Sequence, residues 1–274
     1  MIGQKSLLKK IDTTVKNGFP RFFTVIGERG SQKLDVCRYI ANKLKVEFVL
    51  LENNKIDTIR KVIENANKSS MPTLYVINNA GDMSIQAKNS LLKLTEEPPN
   101  NSYITMVVND EKELLDTLIS RSVSFKLDSY SNTDLIEYTR LKYGEPNLLY
   151  LEVCRTPGDI DLLYNSNPKE FTNYTKMVID NIADVSLANS LKIGDRIALK
   201  DGSDGYDLRL FWATCCRLLR DIAYSDRDMS NDQFFKYIYA IHKTSDCMKK
   251  LRIKGVNRQM LFDEWILLVR EALV

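Results

Sequence analysis

Apolar and polar positions change their period along the chain. Runs at Arg21–Ile26, Glu47–Leu51, Thr73–Ile77 and Ser102–Val108 have the length and the β-branched and aromatic content of core strands, and another strand-like run ends at Leu127. Between them the spacing becomes helical. Ser31–Leu44 places Leu34, Tyr39, Ile40 and Leu44 on one face, and Ile56–Ala66 does the same with Ile59, Val62 and Ile63. Ser84–Glu97 predicts a further helix, stopped by Pro98-Pro99. An amphipathic run follows Ile2-Gly3-Gln4 as far as Lys16, and Gly18 and Pro20 break it. Strands alternating with helices from Arg21 to Leu127 predict an α/β fold, a parallel sheet wrapped by helices.

After Leu127 the strand signal ends. Ser131-Asn132-Thr133-Asp134 is a helix-start cluster before Leu135–Tyr143. Helices are expected at Asn147–Cys154, at Pro157–Tyr164 and from Lys169 to about Asp184, and the chain is expected to stay helical from Val185 onward. Tyr206–Tyr224 carries Leu208, Phe211, Trp212, Cys215, Leu218, Leu219 and Ile222 on a broad apolar face, and Gln233–Lys249 and Gln259–Leu273 are similar. Gly202–Gly205 and Ser225–Ser230 mark breaks.

Composition changes this picture little. The 274 residues suit two or three domains, and 44% hydrophobic content is ample for packed cores. With 39 basic and 36 acidic residues the net charge is +3, too mild to argue for nucleic acid by itself. No window approaches the ~20 unbroken apolar residues of a membrane span, and the first residues lack the apolar core of a signal peptide, so a cytoplasmic protein is expected. Cys37, Cys154, Cys215, Cys216 and Cys247 are scattered without paired short spacings. That pattern favours small buried apolar residues over a metal site. His242, the only histidine, lies in a helical pattern and reads as packing or surface.

Candidate chemistry lies at two strand ends. After Ile26 the chain reads Gly27-Glu28-Arg29-Gly30-Ser31-Gln32-Lys33-Leu34, where a phosphate loop (G-x-x-x-x-G-K-[ST]) belongs. Gly27 and Lys33 fit. Gln32 stands where the second glycine belongs, and its Cβ crowds the approach of a phosphate to the backbone. Leu34 stands where a hydroxyl ligates Mg²⁺, and it has no donor atom. Lys33 is left either to pair with an anion or to sit solvated near a helix start. After Ile77, Asn78 and Asn79 occupy the place where a nucleotide hydrolase of this layout carries Asp-Glu. Neutral amides do poorly at holding Mg²⁺ or at orienting an attacking water.

The block from Asn78 to Ser122 resembles the AAA+ module of clamp-loader subunits, in particular the delta-prime subunit family of bacterial DNA polymerase III. That family follows the strand with Asp-Glu-Ala-Asp, then N-x-L-L-K-x-L-E-E-P-P, then Ser-Arg-Cys. This chain keeps Asn89, Leu91, Leu92, Lys93, Glu96, Glu97, Pro98, Pro99, Ser120 and Arg121. The resemblance implies a degenerate AAA+ domain over residues 1–128, a helical lid over 129–185 and an all-helical collar for ring assembly over 186–274. It implies that Arg121, with Ser120, acts in trans as an arginine finger on a neighbour's nucleotide. No cofactor is expected in the home site, because Gln32 and Leu34 break the Walker A pattern around Gly27 and Lys33, and Asn78 and Asn79 break Walker B. ATP is then bound by partner subunits. Expected partners are ATPase subunits, the clamp-opening subunit, the sliding clamp and primer–template DNA, with no membrane. Asn109 falls at the family's polar sensor position and is given a structural role. Gly158-Asp159-Ile160-Asp161 falls where a lid usually offers an arginine, and offers none. The family's four-cysteine zinc module is also missing. Lys88 and Lys93 lie on a helix of the kind that lines the DNA channel, where a solvated face is the default reading.

Two other readings stay open. One is an active or ATP-binding AAA+ ATPase with atypical motifs, disfavoured by three separate losses of metal- and phosphate-handling groups. The other is an AAA+-derived protein-binding scaffold, which leaves the kept Ser120-Arg121 pair without a reason.

Overall fold

The computed structural model describes residues 1–51, 53–68, 71–96, 101–182, 196–199, 204–225, 228–251, 253 and 255–273. Expectations that fall on Glu97, Pro98, Pro99, Val185 and Gly202 lie outside them, as do the side chains of Ile63 and Lys93. The chain divides into two compact units, one of residues Met1–Lys142 with Arg155–Gly158, the other of Tyr143–Cys154 with Asp159–Val274.

The first unit is a five-stranded parallel sheet in the order β2-β3-β4-β1-β5. Its strands are β1 (Phe22–Ile26), β2 (Glu47–Leu50), β3 (Thr73–Ile77), β4 (Ser102–Val108) and β5 (Val123–Lys126). Both β1 and β3 are buried at every position, as expected for inner strands covered on two faces. The period of two sorts their side chains. Phe22, Ile26, Tyr75, Ile77, Ile104, Met106 and Val108 face one core with Ile59, Val62 and Leu91. Phe23, Val25, Leu74, Val76, Val107 and Phe125 face the other with Leu7, Ile11, Val36 and Ile40. Helices α1 (Lys5–Asn17) and α2 (Lys33–Leu44) thus cover one face, and α3 (Ile56–Lys68) covers the other.

The helix expected over Ser84–Glu97 is two shorter ones, α4 (Ile85–Ser90) and α5 (Leu92–Glu96). Leu91 between them is fully buried, and its amide bonds to the Lys88 carbonyl in a tighter turn. Ser90 Oγ and Thr95 Oγ1 also donate to nearby main-chain carbonyls, competing with the regular helical ladder. A short helix α6 (Asp116–Ile119) leads into β5, and α7 (Asn132–Tyr143) follows it. Gln4 fixes the exit of β5: its side-chain amide exchanges two bonds of 2.9 Å with the main chain of Asp128.

The second unit contains α8 (Leu148–Leu151), most of α9 (Pro157–Asn165), α10 (Pro168–Asn181), α11 (Leu208–Ser225), α12 (Asn231–Lys250) and α13 (Arg258–Leu273). Phe211, Trp212, Phe262 and Trp265 form its centre, with the Phe211 and Trp265 rings edge to face at 5.4 Å. The Trp265 indole donates to Thr244 Oγ1 at 2.9 Å, which satisfies its one polar atom. Leu208, Phe211, Trp212, Cys215 and Leu219 of the expected apolar face are buried, while Leu218 and Ile222 are half-buried. The purely helical expectation for this region needs one correction. Ile197 and Tyr206 form an isolated parallel bridge, because Ala198 and Tyr206 donate across it to Tyr206 and Arg196 carbonyls.

Candidate functional site: a closed phosphate loop and an exposed arginine

In the turn after β1, the residue that stands where the phosphate-loop pattern has its second glycine is left-handed. Gln32 has φ 62° and ψ 33°, the left-handed conformation that a glycine adopts without strain. Its Oε1 is buried with no hydrogen-bond partner. The carbonyls of the loop are taken up in turn by the protein itself. Lys33 Nζ donates to those of Gly27 and Glu28 at 2.7 and 2.8 Å. Thr156 Oγ1 donates to Arg29 at 3.2 Å, the Gly158 amide to Gly30 at 2.9 Å, and Tyr130 Oη to Ser31 at 2.8 Å.

Lys33 is therefore neither solvated nor open to an anion, which corrects the solvated-helix-start reading. Its third bond, 3.0 Å, goes to Asn109 Oδ1, so all three ammonium protons are spent on the protein. Burial pushes its pKa down to about 8, with Glu113 and Glu28 opposing the shift. Asn109 in turn donates from its main-chain amide to Glu113 Oε2 at 3.1 Å. The structural role expected for Asn109 has this physical form: it passes the lysine's hydrogen bond on to a carboxylate.

Close packing fills the space over the loop. A Cβ placed on Gly30 would stand 2.6 Å from Thr156 Oγ1, and one on Gly158 would stand 2.5 Å from Gly30 Cα. Gly158 is thus the residue that lets the start of α9 lie against the loop backbone.

At the end of β3, Asn78 is half-buried and Asn79 exposed, and their carbonyls both accept from Asn54 Nδ2, at 2.7 and 2.9 Å. Asn79 is left-handed (φ 49°), a conformation asparagine tolerates better than most residues. Lys88, expected to be solvated, is buried: its Nζ donates to the carbonyls of Gly81 and Glu113 at 3.0 and 2.6 Å, joining the turns after β3 and β4. Leu34 has no donor atom and the amides at 78 and 79 carry no charge.

Ser120 and Arg121 lie in the turn between α6 and β5, and both are exposed. The Thr117 carbonyl accepts from Ser120 Oγ at 3.2 Å and from an Arg121 terminal nitrogen at 3.0 Å. The other terminal nitrogen lies 3.2 Å from Glu96 Oε1. The register puts Arg121 at the far end of the sheet from the phosphate loop: β1 and β5 run parallel from Phe23↔Val123 to Ile26↔Lys126, Arg121 precedes the first pair and Gly27 follows the last. At a strand rise of about 3.3 Å per residue, that separation is roughly 20 Å. The fold does not bring Arg121 to its own loop.

Asn54, Tyr130, Thr156, Glu113 and Glu96 carry much of this arrangement, and the sequence motifs point to none of their roles. The glycine at 158 was the one readable sign of close packing. Of the cysteines, Cys37, Cys154, Cys215 and Cys247 are buried as expected, and burial pushes the Cys37 thiol up to about 12. His242 is on the surface, 3.4 Å from Asp246. No described helix is long and apolar enough to cross a membrane.

Comparison with known proteins gives the module its relatives. Residues 24–131 match the family model described as DNA polymerase III, delta subunit. The chain is 27% identical over 124 residues to DNA polymerase III subunit gamma of Buchnera aphidicola subsp. Schizaphis graminum, covering 42% of this chain and 34% of that one. It is 32% identical over 71 residues to DNA polymerase III subunit delta' of Bacillus subtilis, covering 26% and 22%. The chain thus spans about a third or less of the length of these curated relatives. In structure it is similar to a DNA polymerase III gamma subunit-related protein of Thermotoga maritima, with a TM-score of 0.53 at 16% identity over 98% of this chain and 100% of that one. The fold is that of an AAA+ module followed by helices. Over residues 24–131 the chain is similar to clamp-loader subunits of DNA polymerase III.

Proposed function

We propose that this chain is a non-catalytic, delta-prime-type clamp-loader subunit that supplies Arg121 to a nucleotide held by a neighbouring subunit. The observation that carries the reading is the pairing of a closed home loop with an exposed arginine at the opposite end of the sheet. Lys33 spends its three donors internally, and Gly158 lies on the loop. Hydrolysis needs a metal ligand and a group that orients water, and Leu34, Asn78 and Asn79 supply neither. A guanidinium is always charged and presents a planar fork suited to a γ-phosphate. Arginine fingers contribute roughly 10³–10⁵ in rate, enough to retain one residue of a dismantled site.

On this reading ATP is bound by partner subunits, and this chain contributes to a ring that opens a sliding clamp and places it on primer–template DNA. Assembly falls to the C-terminal helices, where Phe235 and Tyr239 stand exposed one turn apart on α12. The test is ATP binding and turnover by the isolated chain. Neither is expected above background. Turnover that Lys33→Ala abolishes would contradict the proposal.

A further inference from the structure

Arg121 is held at both ends of its guanidinium. One terminal nitrogen donates to the Thr117 carbonyl of α6 at 3.0 Å, and the other lies 3.2 Å from Glu96 Oε1 at the end of α5. The anchors come from two different elements, so the fork is stretched between helices rather than lying along its own turn. The turn is itself tied to the sheet. Thr24 Oγ1, buried on β1, donates to Ser122 Oγ at 3.0 Å, and Ser122 Oγ donates to the Ile119 carbonyl at 3.2 Å.

We infer that Glu96 is a positioning residue for Arg121, fixing the guanidinium before it meets a phosphate on the neighbouring subunit. The inference rests on the reading of Arg121 as trans-acting. An arginine has several rotatable bonds, and freezing them during the reaction slows it; donors held in place beforehand carry no such cost. Guanidinium has five N–H donors, and these two contacts use one on each terminal nitrogen, so an incoming phosphate meets the others without displacing Glu96. The ion pair itself is a weak fold stabiliser, since the side chains are 40% and 58% exposed and screened by water. Its effect is on where the fork sits rather than on whether the unit folds.

The test uses the reconstituted clamp-loader complex with the wild-type chain, Glu96→Ala, Glu96→Gln, Arg121→Ala and the Glu96→Ala/Arg121→Ala pair. DNA- and clamp-stimulated ATP turnover is measured across ATP concentrations, with co-elution and melting as controls. Glu96→Ala is expected to lower the Arg121-dependent part of kcat roughly threefold or more, with KM for ATP unchanged. Glu96→Gln keeps most of the rate, because its amide oxygen still accepts. Adding Glu96→Ala to Arg121→Ala changes nothing further. A wild-type rate for Glu96→Ala beside a slowed Arg121→Ala overturns this inference and leaves the trans role standing. Wild-type rates for both overturn the trans role and the inference with it. A loss in the double variant beyond that of Arg121→Ala, or a drop in melting temperature or co-elution for Glu96→Ala, makes Glu96 something other than a positioning residue.

Discussion

Gly30 and Gly158 meet backbone to backbone. The Gly158 amide donates to the Gly30 carbonyl at 2.9 Å, and a Cβ on Gly158 would reach to 2.5 Å from Gly30 Cα. Neither backbone can yield easily, so Gly158→Ala forces the start of α9 and the loop apart. The expected cost is about 1–3 kcal/mol, the usual range for overpacking. Chemical denaturation monitored on the N-terminal unit measures it. Unchanged stability would mean that the loop and helix are not packed together in solution.

Gln32 reports on the loop in the opposite direction. Its left-handed backbone is strained for any residue with a Cβ, and its Oε1 is buried without a partner. Gln32→Gly removes both penalties and is expected to stabilise the protein by about 1 kcal/mol. It restores the glycine of the phosphate-loop pattern, yet no nucleotide binding should appear, since Gly158 and the Lys33 bonds remain. Calorimetry with ATP tests the second part, and tight binding by this variant would show that Gln32 alone had closed the site.

Lys33 gives a pH signature. Its folded pKa, lowered to about 8, lies below the ordinary value of 10.5, so between these values the unfolded chain binds more protons. Stability contributed by this group therefore rises with pH across that window. Below pH 8 the charged amine is buried at its full cost. The buried cysteine thiols, with raised pKa values, act in the reverse sense, so the comparison must be with Lys33→Met. The difference in unfolding free energy, wild type minus Lys33→Met, should climb by up to about 3 kcal/mol between pH 8 and 10.5. A flat difference would mean that Lys33 is solvated.

The sheet was legible because its signals are local. β1 and β3 are short apolar runs between turn residues, and both appear where the periodicity put them. The split of the helix at Leu91 was not legible, because the sequence on both sides is compatible with one continuous helix, while the tighter turn goes with the burial of Leu91 and the hydroxyl bonds of Ser90 and Thr95. Motif positions marked Gln32 as crowding a phosphate and Leu34, Asn78 and Asn79 as poor groups for Mg²⁺. They did not tell which distant groups of the protein bond the loop. Those groups include Tyr130 and Thr156, about 100 or more residues from the loop they bond. Lys88 was misread because a lysine looks solvated in sequence until distant groups, here the Glu113 carbonyl, surround it. For Lys33, two acceptors are carbonyls of its own loop and the third is the distant Asn109 side chain.

The trans role of Arg121 is tested most directly by reconstituting the clamp-loader complex with wild-type, Arg121→Ala or Arg121→Lys chain at saturating partner. DNA- and clamp-stimulated ATP turnover and clamp loading are then measured together. Arg121 is exposed, so removing it should change stability by less than about 0.5 kcal/mol and leave assembly intact. Arg121→Ala should lower both rates, incompletely, because other sites in the ring keep their own fingers. Arg121→Lys should rescue poorly, since a point ammonium cannot reproduce the fork. Wild-type rates in both assays for Arg121→Ala would contradict the trans role and leave this chain a scaffold.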